Sequence, residues 1–291
     1  MRQGRTRKEF PLTRTSTLST SVSPGARRRL PLSPKFTDVL LGAAGLAAVM
    51  AALELATIAG LLPEKTFPRI SSDLRQLAEL AGGGELWTAV GHTLQGWAIS
   101  FGLAVVIAVL LGMAIGSSTV LHAATTAVIE FLRPIPSVAL IPLVVLVLGT
   151  GLQSKIFLAT FAAAWPVLIA TIYGMRDVEP VALDTARSFR ARPHDRLLSV
   201  VLPSAVPYIA TGLRVASTTA LILCVTAELV IGAPGLGQSI TVAQAGGQYQ
   251  LMYALIIATG LLGVLLNLVF VAIEKRLLRW HPSQRAQEVV Q

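Results

Sequence analysis

Charge is scarce in this sequence. Only 13% of its 291 residues are Asp, Glu, Lys or Arg, roughly half the share of a soluble domain, so an ordinary water-facing surface cannot be built from them. Cysteine is almost absent. Cys224 stands alone inside an apolar run, which rules out an internal disulfide framework and reads as a small apolar residue. His92, His122, His194 and His281 are too dispersed to suggest a metal-ligand cluster. No GxxxxGK[ST] phosphate cradle, HExxH pair or GxSxG elbow occurs, so the chemistries those motifs serve are not expected here. Too little polar chain is left for a nucleotide-binding domain, so any energised work would draw on a separate chain.

Apolar length is what the chain has in quantity. Hydrophobic residues make up 53% of it, and the mean hydropathy is +0.67. They fall into runs centred on 39–61, 87–115, 124–148, 156–174, 206–231 and 251–273, each close to or above the roughly 20 helical residues that cross a hydrocarbon layer. Lipid offers backbone groups no water partner, and the runs exceed a barrel strand's length, so they predict six membrane helices and an all-α membrane protein. The third run is interrupted by Glu130, Arg133, Pro134, Pro136 and Pro142, and its clean apolar part begins at Val138.

The charges orient these spans. With both termini inside the cell, segments 1–35, 112–123, 175–205 and 274–291 hold eighteen of the twenty-four Lys and Arg, against four in 62–86, 149–155 and 232–250. That asymmetry predicts cytoplasmic termini. Residues 1–37 read as a basic, disordered tail held at lipid headgroups by Arg27, Arg28, Arg29 and Lys35. Without interleaved aromatics, the net charge of +9 does not call for nucleic acid. The membrane domain is placed at 38–275, with a cytoplasmic loop at 175–205 and a C-terminal tail at 276–291.

Within that loop lies ALDTARSFRARPHDRLLSVVLP, residues 182–203. Pro180 suits a first helical turn. Leu183, Ala186 and Phe189 recur on one side, with Asp184, Arg187 and Arg190 on the other, and Pro193 breaks or restarts the helix. An amphipathic helix of this kind either lies on headgroups or docks on a partner with Phe189 as its anchor.

Asp184, Thr185 and Ala186, followed at the right distance by Val200, Val201, Leu202 and Pro203, resemble the cytoplasmic signature of ATP-binding-cassette importer permeases. LELA at 53–56, GLLP at 60–63, EFLRPIPSVALIPL at 130–143, ARSF at 186–189, LPSAVPYIATGLR at 202–214 and AELVIGAPGLG at 227–237 resemble the branch importing sulfonates, taurine and nitrate. The resemblance covers roughly 38–280. It implies the six-helix type I importer fold in a bacterial inner or plasma membrane and a second permease copy. Two cytoplasmic ATPase subunits carrying ATP and Mg2+, and an external solute-binding protein, would complete the assembly, with no cofactor or catalysis in this chain. It also implies that Asp184, Thr185, Ala186, Phe189, Arg190, Pro193, Leu202 and Pro203 form the ATPase-coupling element. One departure is plain: Arg190 stands where the family has Gly.

Among charges in or near the spans, Glu130 and Arg133 are expected to pair at i,i+3 and, with Pro134 and Pro136, to shape a bend or gate. Arg214 is expected to snorkel or bond to helix ends, and Glu228 to support the APGLG turn. Glu54 should reach headgroups or a neighbouring helix. Trp165, Tyr173 and Thr218 are candidate pathway residues. The expected function is ATP-driven import of a small organic anion. Import of a vitamin precursor or another small solute, an ion-coupled carrier and a membrane scaffold are the alternatives.

Overall fold

In the computed structural model, residues 34–278 are described apart from residue 64, with side chains from residue 40 onward. Up to residue 33 and from 279, the tails expected at 1–37 and 276–291 lie outside the described residues, as do the anchoring roles expected of the first, whereas residues 34–37 and 276–277 are helical. The chain divides into two units between Val49 and Met50, inside the first helix, α1 (Pro34–Ile58). In the first unit the side chains from Leu40 to Val49 are all exposed, as an apolar helix in lipid should be.

Among its described residues the second unit contains the rest of α1 and ten further α-helices. These are α2 (Ile70–Ala81), α3 (Gly84–Ser117), α4 (Thr119–Leu132), α5 (Ile141–Leu148), α6 (Leu152–Arg176), α7 (Pro180–Ser188), α8 (Pro193–Arg196), α9 (Leu202–Ile231), α10 (Leu236–Ala245) and α11 (Tyr249–Leu277). No strand occurs among the described residues, so the fold is all-α. α1, α3, α6 and α11, together with the stretch containing α9, are long and apolar enough to cross a membrane. The expected third span is not one straight helix. A 3₁₀ turn (Ser137–Leu140) leads into α5, and this half is bent 80° from α4. Pro134 and Pro136 supply the cause, since each lacks an N–H and restrains the residue before it. The expected loop at 112–123 is also absent. Only Ser118 separates α3 from α4, extended at φ −120° and capping α4 by accepting the Leu121 N–H at 3.2 Å.

The core is built on small residues. Gly96, Ser100, Ala104, Ala108, Gly112 and Gly116 recur every fourth position on α3 and are all buried. In lipid, helices gain little from apolar burial as such, so close van der Waals approach decides their packing. A methyl added at Gly112 would lie 2.6 Å from Thr171 Cβ, and one at Gly116 would lie 2.6 Å from Met175 Cβ. The shared sequence offset of these contacts makes α3 and α6 parallel. Gly174 meets Ala205 while Gly212 meets Ala170, so α9 runs antiparallel to α6. Trp97 stacks on Phe101 at 5.6 Å with Phe270 edge-on to both, and its Nε1 donates to the Ser217 carbonyl at 3.0 Å. This joins α3 to α9 and α11.

The three-helix core therefore has two ends. One carries α2, α10 and the starts of α3 and α6. The other carries α7, α8 and the start of α9.

Candidate functional sites at the two ends of the core

At the α7/α8 end, a cavity of about 1220 Å³ reaches from Trp165 and Pro166 in mid-α6 to Ser199. Pro207, Tyr208 and Thr211 of α9 line it, and its charged groups are Arg133, Asp177 and Glu179. Tyr208 Oη donates to the Asp177 carboxylate across the α6–α9 contact. Pro166 and Pro207 lie inside their helices, and each removes a backbone hydrogen bond beside the cavity. Trp165 is thus a lining residue, one position before Pro166. Tyr173 is exposed and does not line the cavity, and Thr218 hydrogen-bonds back to the Arg214 carbonyl of its own helix.

The passage containing the resemblance signature continues from this cavity. α7 begins at Pro180, and its last helical residue is Ser188. Asp184 accepts from Arg187 at 3.0 Å, Thr185 Oγ1 donates to the Val181 carbonyl, and Ser188 Oγ donates to the Asp184 carbonyl. Phe189 caps the helix and is 83% exposed. The Arg190 N–H donates to the Arg187 carbonyl at 2.9 Å, and the Ala191 N–H donates to the Ala186 carbonyl at 3.0 Å. This pair of bonds is the closure that ordinarily places glycine at the left-handed position. Arg190 occupies it at φ 53°, the sole non-glycine with positive φ among the described residues. The arginine therefore leaves the glycine-type backbone turn intact. Helix α7 ends before Phe189 and Arg190, so neither lies on a helix face as the periodicity predicts. α8 then starts at Pro193, a five-residue π turn (Leu197–Val201) follows, and α9 begins at Leu202 and Pro203. Ser199 and Pro203 line the cavity, so the exposed passage is continuous with its wall.

Glu130 and Arg133 form no ion pair. Both are exposed, where pairing contributes little, and Arg133 caps α4 and lines the cavity instead. Arg214 binds side chains of α11: its Nε donates to Asn267 Oδ1 at 3.2 Å, and a guanidinium nitrogen lies 3.7 Å from Glu274. It does not line the cavity.

The other end holds a site that sequence reasoning reached only through Glu228. That carboxylate is fully buried, and its partner is Lys155, first-turn residue of α6, also buried. Lys155 Nζ donates to Glu228 Oε1 at 3.0 Å, to the His92 carbonyl at 3.1 Å and to the Pro234 carbonyl at 2.9 Å, using all three ammonium protons. Glu228 Oε2 accepts from Thr93 Oγ1 at 3.0 Å and from the Gly237 N–H at 2.9 Å. Thr93 Oγ1 accepts from the Leu236 N–H at 2.9 Å. The APGLG turn thus wraps the pair, and a side chain at Gly235 (φ 152°) would enter the Glu228 carboxylate. The charge asymmetry counts Lys155 in the outside segment 149–155, whereas the structure buries it. Its acceptors come from α3, α9 and the turn after α9, all remote in sequence.

Beyond the core, Glu54 accepts from the Ser71 N–H and Oγ at 3.2 and 2.7 Å, tying α1 to α2. Asp73 on α2 is buried and its Oδ1 has no hydrogen-bond partner. Burial, reinforced by the charge of Glu54, pushes its carboxyl up to about 6.

Comparison with known proteins converges on one family. A family model described as binding-protein-dependent transport system inner membrane component matches residues 104–279. The taurine transport system permease protein TauC of Escherichia coli K12 is 31% identical over 72% of this chain and 78% of its own length. The nitrate import permease protein NrtB of Leptolyngbya laminosa is 31% identical over 62% and 65%. The putative aliphatic sulfonates transport permease protein SsuC of Bacillus subtilis 168 is 30% identical over 70% and 74%. Among solved structures, the MetNI methionine transporter in inward-facing conformations aligns with a TM-score of 0.57, at 21% identity over 65% of this chain and 94% of its own, which supports the fold. The sequence match, the apolar spans and the helical core together identify this multi-pass chain as a member of the binding-protein-dependent transport system inner membrane component family, the permease subunits of ATP-binding-cassette importers.

Proposed function

We propose that this permease pairs with a second copy to form an alternating-access pathway for a small organic anion of the taurine, sulfonate or nitrate kind. A separate ATPase, holding the nucleotide and Mg2+, drives it, and a solute-binding protein delivers the substrate. In this reading the α7/α8 end faces the cytoplasm and the chain catalyses no reaction itself. The observation that carries it is the continuity at that end: a bared Phe189 on a short arginine-rich element leads through a π turn into α9, which walls the cavity. A push on α7 and α8 would reach the cavity through backbone alone. Pro166 and Pro207 lie where that motion would be taken up, and Arg133 is the cation that a departing anion would meet. The named relatives support the anion class, because taurine, nitrate and sulfonates share a small anionic group.

Proteoliposomes containing the chain, its copurifying ATPase and the cognate binding protein test the proposal. ATP-dependent uptake of labelled taurine, nitrate or an alkanesulfonate is expected. Uptake by the chain alone under an ion gradient would overturn it in favour of a secondary carrier. Orientation is tested separately with Gly246→Cys in a Cys224→Ala background, which should label with an impermeant reagent in intact cells.

A further inference from the structure

We infer that Arg190 is a partner-selecting residue, whose cation meets a carboxylate at the rim of the ATPase groove that receives Phe189. This rests on the proposed docking of α7 and α8. A non-glycine residue in the left-handed region pays a steric cost that glycine at the same turn avoids, and the helix closure at Arg187 and Ala186 needs only the backbone. Nothing among the described residues offsets that cost. The Arg190 side chain is exposed and makes no ion pair or hydrogen bond with the described residues. Strain kept at an exposed position points to a role in recognition.

The surroundings define the partner's chemistry. Arg190 adjoins Phe189, the most exposed aromatic side chain among the described residues. Arg187 is matched by Asp184, and His194 by Asp195. Arg190 and Arg192 are left as exposed cations without ion-pair partners among the described residues. An aromatic anchor ringed by unmatched cations complements an apolar pocket with an acidic rim. Lipid headgroups could meet the same cations. However, a headgroup layer has no need of a fixed left-handed turn, whereas a groove that must seat Phe189 at one angle does. We therefore commit to a protein partner.

The test titrates the copurified ATPase subunit onto the full-length chain in nanodiscs, at low salt and at high salt, in neutral and in anionic lipid. Arg190→Gly should raise the melting temperature of the free permease while weakening ATPase affinity about three- to fivefold at low salt, as expected for an exposed charge pair. High salt should erase the difference. Arg190→Lys should keep most of the affinity, and Arg190→Glu should lose more than Arg190→Gly. Unchanged or tighter binding by Arg190→Gly at both salts would reduce Arg190 to a strained cap and overturn the inference. An effect seen only in anionic lipid would assign the cation to headgroups and overturn it as well. Phe189→Ala separates the two levels of the argument. If it weakens binding while Arg190→Gly does not, only the rim contact fails. If neither weakens binding, the docking reading fails too.

Discussion

Lys155 and Glu228 are held at 3.0 Å with 1% and 0% of their side chains exposed, and Arg187 and Asp184 are held at the same 3.0 Å with 62% and 69% exposed. The distance is identical and the physics is not. The first pair has lost its water, and every proton of the ammonium group is matched by an acceptor, so removal of either partner strands a charge in a low-dielectric core. The second pair keeps its water and is screened by salt. One end of the core spends charge on holding α3, α6, α9 and the APGLG turn in register. The other end leaves its charge in water.

The largest expected effect breaks the buried pair. Lys155→Ala should destabilise the chain by about 3–5 kcal/mol, seen as loss of monodisperse protein and a large fall in melting temperature in detergent. The double variant Lys155→Met with Glu228→Leu removes both charges and should recover most of that loss. A double variant as unstable as the single would mean that the hydrogen bonds to the turn, and not the charge balance, hold this end together.

Phe189→Ala probes the other end. Stability should hardly change, because the ring is already exposed, while ATPase affinity should fall by about 1–3 kcal/mol, as for an anchor residue at an interface. A smaller effect is expected of Asp184→Ala. Losing one exposed i,i+3 pair should cost about 0.5 kcal/mol of stability or less, which sharpens the contrast with Lys155 at equal bond length.

The smallest change in global melting belongs to Asp73, since α2 lies outside the three-helix core. Its folded pKa, raised to about 6 above the usual value of about 3.9, means that the folded state holds the proton more tightly. The packing of α2 is then most favourable below about pH 4, weakens as pH rises toward 6, and stays weakened above it. Asp73→Asn should melt higher than the parent at pH 7.5 and match it near pH 4. A constant difference across that window would show that the carboxyl does not titrate there.

The two ends also differ in how readable they are from sequence. The α7/α8 passage was legible because an arginine-rich stretch between apolar runs is a local anomaly, and its signature spacing is contiguous. Pro134 and Pro136 likewise marked the break between α4 and α5. The small-residue stripe on α3 was written in the sequence at a period of four, yet Gly, Ser and Ala are common enough in membrane spans that its buried face emerges only with α6 in place. Lys155 was legible as a charge and misplaced as a loop residue. Its acceptors, the His92 and Pro234 carbonyls and Glu228, carry no spacing rule because three separate helices must assemble before they meet. The left-handed turn at Arg190 was hidden for the opposite reason: its residue type argues against the conformation that the backbone adopts.

Hydrogen-exchange mass spectrometry of the nanodisc-embedded chain, with and without its ATPase subunit, tests the contrast between the two ends in one experiment. Amides of 228–237 should be protected in both samples, and those of 186–196 should exchange quickly alone and slow on ATPase addition. Rapid exchange at 228–237, or an unchanged rate at 186–196 with the ATPase bound, would contradict the account.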